Sequence, residues 1–226
     1  MDLEGDSAPH PVQVSNVVAQ IKGSAQPDEQ VIIGAHLDSW DLGEGAVDNG
    51  TGTVAVLEAG RLLKSFGRIP RRSLTFVLFY GEEQGEMGSR AFVKEHAAEL
   101  DKIDAVLIDD PGAGRITGIP LEDLWSTGPL MEEIYQPLSR VFNLDPISNE
   151  LLNGSDHDQF LLAGVPAYLA IQAPAHYGYA HHSTDDVFEL VEPDALREQA
   201  AVLAAWMWNT SQMPTSFPHH KHRPGA

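Results

Sequence analysis

Five spots spread over most of a 226-residue chain carry side chains that bind divalent metal: His36-Leu37-Asp38, Asp48-Asn49-Gly50, Glu82-Glu83, Asp109-Asp110, and His182 with Asp186. A pair of zinc ions that share a water needs one imidazole and one carboxylate for each ion and one carboxylate between them. The five spots contain that set and a spare glutamate besides. The chemistry they could do is metal-assisted hydrolysis.

Each spot taken alone also has a plain structural reading. An imidazole such as His36 can be buried when its hydrogen bonds are satisfied, and Asp48 could cap the helix that follows it. Glu82-Glu83 could be a solvated surface pair, while Asp109-Asp110 before Pro111-Gly112, or His181-His182 before Asp186, could stand in turns. Their placement argues for more. His36 closes an apolar run, and Asp38, two residues on, could accept from its imidazole N–H and fix the tautomer. Asp48 follows a glycine-rich loop at 43–45. Glu82 and Glu83 end the run 74–80, and adjacent residues face different ways, so one could bind metal while the other reaches the attacking water.

The elements that must position these side chains read as alternating strands and helices. Segment 12–21 alternates in strand fashion, 23–29 is a turn, and 31–35 is a continuous apolar run; the two strands are expected to form a hairpin. Val54, Leu57, Ala59, Leu62 and Leu63 give 50–66 a helical face, and 74–80 returns to β-branched and aromatic residues, completing a β-α-β unit. Helices are also expected at 89–100, 130–142, 155–163 and 193–207, with strands at 105–108 and 167–171. This alternation predicts an α/β fold, a three-layer α/β/α sandwich with a mixed, mostly parallel central sheet. Ligands in such folds sit beyond the carboxyl ends of the strands, which is where His36, Glu82-Glu83 and Asp110 fall. One domain is expected over 1–213, then a flexible tail at 214–226 holding His219, His220 and His222.

Composition narrows the partners. Hydrophobic residues make up 42% of the chain, enough for a full core. Against 14 basic residues stand 33 acidic ones, a formal net charge of −19 that would repel nucleic acid and anionic membrane surfaces alike. The absence of cysteine excludes disulfides, thiolate metal sites and cysteine nucleophiles, so any zinc must rest on nitrogen and oxygen. No apolar run approaches the ~20 residues of a membrane span, and segment 1–11 carries no targeting signal.

Taken in order, His36-Leu37-Asp38-Ser39-Trp40-Asp41, Gly45-Ala46-Val47-Asp48-Asn49-Gly50, Glu82-Glu83-Gln84-Gly85, Asp110-Pro111-Gly112, Gly154-Ser155-Asp156-His157, Gly164-Val165-Pro166-Ala167 and His182-Ser183-Thr184-Asp185-Asp186 resemble metallopeptidase family 28. Within it they are most similar to the carboxypeptidase Q-like members, from about Ser15 to Glu192. The resemblance implies a zinc-exopeptidase/phosphorylase-like fold and an aminopeptidase or dipeptidase acting on small peptides near a free terminus. It implies that His36 and Asp110 hold one zinc, that Glu83 and His182 hold the other, and that Asp48 bridges them. Glu82 would be the general base toward the hydroxide shared by the two ions. Asp38 would support the first histidine, and Asp186 stands where the family places an acidic partner of its second.

The preference for Asp110 over Asp109 and for His182 over His181 rests on the resemblance. Ser155-Asp156-His157 matches a recurring loop near the site, with no role assigned to it. Tyr177 or Tyr179 could donate to a developing oxyanion or simply fill a loop. Secretion or a periplasmic location is the family norm, and the protease-associated domain of carboxypeptidase Q-like members has no room in this chain. The rival readings are a single-zinc glutaminyl cyclase-like acyltransferase, a non-catalytic peptide-binding relative and a metal-dependent esterase. The family's cyclases lack the histidine that His36 provides, and its binding relatives lose ligands that are all present here.

Overall fold

A computed structural model describes residues 12–220. Three strands that are apolar on both faces form its centre: β2 (Gln26–His36), β3 (Arg72–Phe79) and β4 (Ile103–Ile108). They run parallel in the order β3-β2-β4, with Ile33 between Phe76 and Leu107. β6 (Ala167–Leu169) adds a parallel strand beyond β4, and β1 (Val17–Ile21) lies antiparallel along the outer edge of β3. Burial on both faces is what such continuous Val/Ile/Leu runs require, and helices provide it.

On one face α1 (Thr51–Phe66) and α6 (Pro193–Gln212) pack against each other and the sheet, with α3 (Gly128–Phe142) beside α6. Gly60 of α1 lies over the Phe76 ring. Phe79, an odd number of residues further along β3, points to the opposite face. There it meets Phe92 of α2 (Met87–Glu95) and Phe160 of α4 (His157–Leu162), each at 6.0 Å between ring centroids. β5 (Ile116–Gly118) and β7 (Ile171–Gln172) pair separately, and α5 (Tyr177–Ala180) is a single turn beside the site. The expected three-layer sandwich with a mostly parallel sheet is present.

The expected hairpin between 12–21 and 31–35 is not. β1 and β2 flank β3 on its two sides, and the link between them passes over the start of β3. Gly23 permits this, because a Cβ there would fall 2.5 Å from the Arg72 carbonyl carbon. The strand itself begins only at Val17. Segment 167–171 also divides: after Ala170 donates its N–H to Ile108, Ile171 leaves the main sheet to pair with β5. The helix expected over 89–100 stops at Glu95, where the His96 ring donates to the Phe92 carbonyl at 2.8 Å. The closing helix runs past 207 to Gln212, because Thr210 and Ser211 are buried with the stripe before them. Among the described residues no helix is long and apolar enough to cross a membrane.

At the end of the sheet away from the strand carboxyl termini, Arg72 is wholly buried. Its guanidinium pairs with Glu29 at 2.7 Å and Asp104 at 3.3 Å, and donates to the Met213 carbonyl and to Ser216. Phe217 is buried, and its N–H donates to Asp104 at 2.8 Å. The run 214–220, expected to be loose, is therefore docked: the His219 ring meets the Ile103 carbonyl of β4, and the His220 N–H donates to the Gly164 carbonyl at 2.9 Å. His222 and the rest of 221–226 lie outside the described residues.

Two outcomes follow from this buried cluster. Arg72→Met strands two carboxylates and is expected to lower stability by ~3–5 kcal/mol in urea unfolding. Burial pushes Asp104 from 3.8 up to about 6, outweighing the pull of Arg72. The folded chain then binds the extra proton, so this contribution is complete below about pH 4 and is lost as pH rises through about 6. Asp104→Asn is expected to remove that decline from unfolding curves measured across the interval.

Candidate metal centre

Because β3, β2 and β4 are parallel neighbours, their carboxyl ends open on one edge. His36 is the last residue of β2, Glu82 and Glu83 stand in the turn after β3, and Asp109 and Asp110 follow β4 directly. Two loops bring the remainder: Asp48 from between β2 and α1, and His182 from beyond α5.

There the side chains converge. Nε2 of the buried His36 lies 3.1 Å from Asp110 Oδ1 and 3.2 Å from Asp48 Oδ1. The other Asp48 oxygen, Oδ2, is 3.4 Å from His182 Nε2, which in turn is 2.9 Å from Glu83 Oε2. Asp48 thus turns one oxygen to each histidine. Donor atoms of His36, Glu82 and Glu83 also lie within 4.8 Å of one another. The expected ligand residues other than His36, together with Glu82, line a cleft of about 350 Å³ with Glu86, Tyr177 and His181.

Of the two ambiguous pairs, one separates cleanly. Asp109 points away from the cleft, accepts from Gln172 at 2.7 Å, and is pushed by burial up to about 7. Asp110, facing the opposite way as alternation requires, meets His36. The histidines do not separate so far: His181 stacks on His182 at 3.6 Å and its Nε2 is 3.7 Å from Asp48 Oδ2. The capping role open to Asp48 belongs to Asn49, whose Oδ1 accepts the Gly52 N–H at 3.0 Å. Asp48 is left facing the site.

The two supporting carboxylates act differently from expectation. The Asp38 main-chain carbonyl, not its carboxylate, accepts the His36 Nδ1–H at 2.9 Å; the nearest carboxylate oxygen stays 3.8 Å away. Its carboxylate instead accepts the N–H groups of Gly81, Glu82 and Glu83 at 2.8, 3.2 and 3.3 Å. Strand alternation could not reveal this, since the turn after β3 comes from a different part of the chain. Asp186 likewise holds no histidine. Its two oxygens accept the Val47 and Asp48 N–H groups at 2.6 and 3.0 Å, so it fixes the Asp48 turn from across the site. Ser155, Asp156 and His157 are all buried at the start of α4, near Asp110.

Charge within the cleft is one-sided. Among the described residues no lysine or arginine lines it. Burial disfavours a charged His36, yet hydrogen bonds with Asp110 and Asp48 push it up to about 12. Burial first, and then the charge of Asp110, push Glu82 up to about 9; burial and Asp48 raise Glu83 as well. Tyr177 is raised by burial and by the same carboxylates. Glu83 Oε1 is buried without a hydrogen-bond partner. Imidazole and carboxylate donors so crowded, with positive charge drawn onto the buried His36, suit divalent cations of the zinc type.

One contact was not foreseen. Trp40 donates its indole N–H to Glu83; the sequence placed Trp40 in the motif that follows His36 but gave it no role.

Comparison with known proteins shows the family and the fold. The family model for Peptidase family M28 matches residues 16–207. Carboxypeptidase Q from Rattus norvegicus is 33% identical over 203 residues, covering 90% of this chain but 43% of its own length. A Peptidase M28 precursor from Shewanella amazonensis superposes with a TM-score of 0.82 at 32% identity, over 90% of this chain and 46% of that one. A zinc aminopeptidase from Bacillus subtilis shares the fold, with a TM-score of 0.73 at 23% identity over 88% of this chain and 50% of that one. The chain therefore spans less than half the length of its carboxypeptidase Q relatives. With the family's sequence pattern over most of its length and the family's fold around a cleft of convergent carboxylates and imidazoles, this chain belongs to peptidase family M28.

Proposed function

We propose that this domain is the catalytic part of a dinuclear zinc exopeptidase that hydrolyses small peptides near a free terminus. The observation that carries the reading is the two-sided placement of Asp48, one oxygen toward His36 and the other toward His182. His36 and Asp110 would hold one zinc, Glu83 and His182 the other, and Asp48 would lie between them. When bound, the two ions would polarise the peptide carbonyl and lower the pKa of a water toward ~7.

The chain's own groups account for the proton. Glu82 reaches the cleft from the same turn as Glu83, its backbone held by Asp38. Burial and the Asp110 charge raise its affinity for a proton, and positive charge in the cleft opposes the second of these causes. With cations in place to offset the Asp110 charge, Glu82 would be ionised and able to accept the proton of the attacking water and pass it to the departing amine. Glu82→Gln is expected to retain the parent's zinc content and lose ~10²-fold or more of its dipeptide and aminoacyl-arylamide hydrolysis. Equal rates in the two proteins would remove Glu82 from the reaction.

Selectivity among side chains has a physical basis beside the cleft. A neighbouring recess of about 290 Å³ is lined mainly by Pro111, Leu152, Leu169, Ile171, Pro174 and Tyr177, with Glu150, Asn153 and Gln172 also on its wall. Pro111 adjoins Asp110, and Tyr177 belongs to both cavities. It fits one apolar side chain flanking the scissile bond, and Glu150 disfavours an acidic one. Leucyl substrates are expected to exceed glycyl ones by at least ~10-fold in kcat/KM, and Leu152→Trp to erase that margin while sparing the glycyl rate.

A further inference from the structure

Segment 37–45 runs without strand or helix between β2 and the Asp48 turn, and it leaves the Trp40 side chain 47% exposed. A ring of this size gains most by burial, so packing does not explain its position. Its polar contact does. The indole Nε1–H donates to Glu83 Oε2 at 2.6 Å, and the ring sits 5.2 Å from that of His182, tilted by 45°. Two residues earlier, Asp38 Oδ2 accepts the Glu83 backbone N–H at 3.3 Å. One short stretch of loop grips Glu83 by main chain and side chain and also leans on His182. The Oε2 that Trp40 engages is the same oxygen that lies 2.9 Å from His182 Nε2, while Oε1 is buried without a partner.

An indole N–H is a donor with no accepting lone pair, so it cannot itself hold a cation or exchange places with a ligand. It can fix the plane of the carboxylate by occupying one oxygen, as partners behind metal-binding side chains do. We propose that Trp40 is a positioning residue for the cation that Glu83 and His182 would hold, fixing the orientation of the Glu83 carboxylate beside His182. The inference rests on the dinuclear reading above. The single indole N–H is committed to Glu83, so the His36–Asp110 pair receives nothing from it, and the effect is confined to one of two ions.

Trp40→Phe keeps a ring beside His182 and removes the donor alone. The zinc-loaded parent and variant are dialysed against a series of chelator-buffered free-zinc concentrations, and metal per chain is counted by atomic absorption. The parent is expected to hold two ions. The variant is expected to keep one at the parent's affinity and to bind the other ~10–100-fold more weakly, with an unchanged circular dichroism spectrum at saturating zinc. Trp40→Ala, which also removes the ring, is expected to weaken the same ion further. If Trp40→Phe releases both ions at the parent's free-zinc concentrations, or weakens both alike, Trp40 does not position Glu83. A parent that holds fewer than two ions overturns the dinuclear reading and this inference with it, which tells the two failures apart.

Discussion

Carboxylates brought together out of water repel one another unless positive charge stands among them, and the site edge of this sheet depends on that constraint. Asp48, Asp110, Glu82 and Glu83 meet in a cleft that, among the described residues, no lysine or arginine lines. His36 takes up the positive charge locally, drawn by Asp110 and Asp48. One imidazole between two carboxylates leaves Glu82 and Glu83 with raised proton affinity. A pair of divalent cations would answer the same imbalance more completely, because each carries twice the charge of an imidazolium and takes several oxygen and nitrogen donors at once.

The arrangement survives because the loops that carry the site are tied to one another rather than to their own neighbours. Asp38 gathers the three successive N–H groups of the Glu82-Glu83 turn, and Asp186 gathers the two that begin the Asp48 turn. Each carboxylate thus satisfies backbone donors that a sharp turn would otherwise leave open. At the opposite end of the sheet the buried Arg72 does related work with reversed charge, joining the start of β3 to Glu29, Asp104 and the segment after α6. The strands are therefore fixed at both ends, by carboxylates on one side and a guanidinium on the other.

Much of this was legible in residue order. Continuous apolar runs ending in His36 and before Glu82 and Asp110 indicate buried parallel strands whose ends share an edge, and the structure has that form. The pairing of β1 was not legible, because alternation identifies a strand without naming its partner; Gly23 and the path over Arg72 decided that β1 joins β3. The tail after Pro214 lacks periodicity, yet Phe217 is buried by contacts made far along the chain. Trp40, Asp38 and Asp186 act on groups more than forty residues distant, and no spacing rule connects such positions.

What the sequence by itself determined is the set of chemical groups and the strand ends that carry most of them. Side-chain type and local period are properties of the chain alone. What the tertiary structure decided is which of two adjacent groups faces inward and which carboxylates bind backbone rather than imidazole. Asp110 meets His36 while Asp109 is tied to Gln172, and the Asp38 carbonyl holds the imidazole that its carboxylate was expected to hold. Those choices follow from the direction in which each backbone arrives at the shared edge, and that direction exists only once the strands are packed.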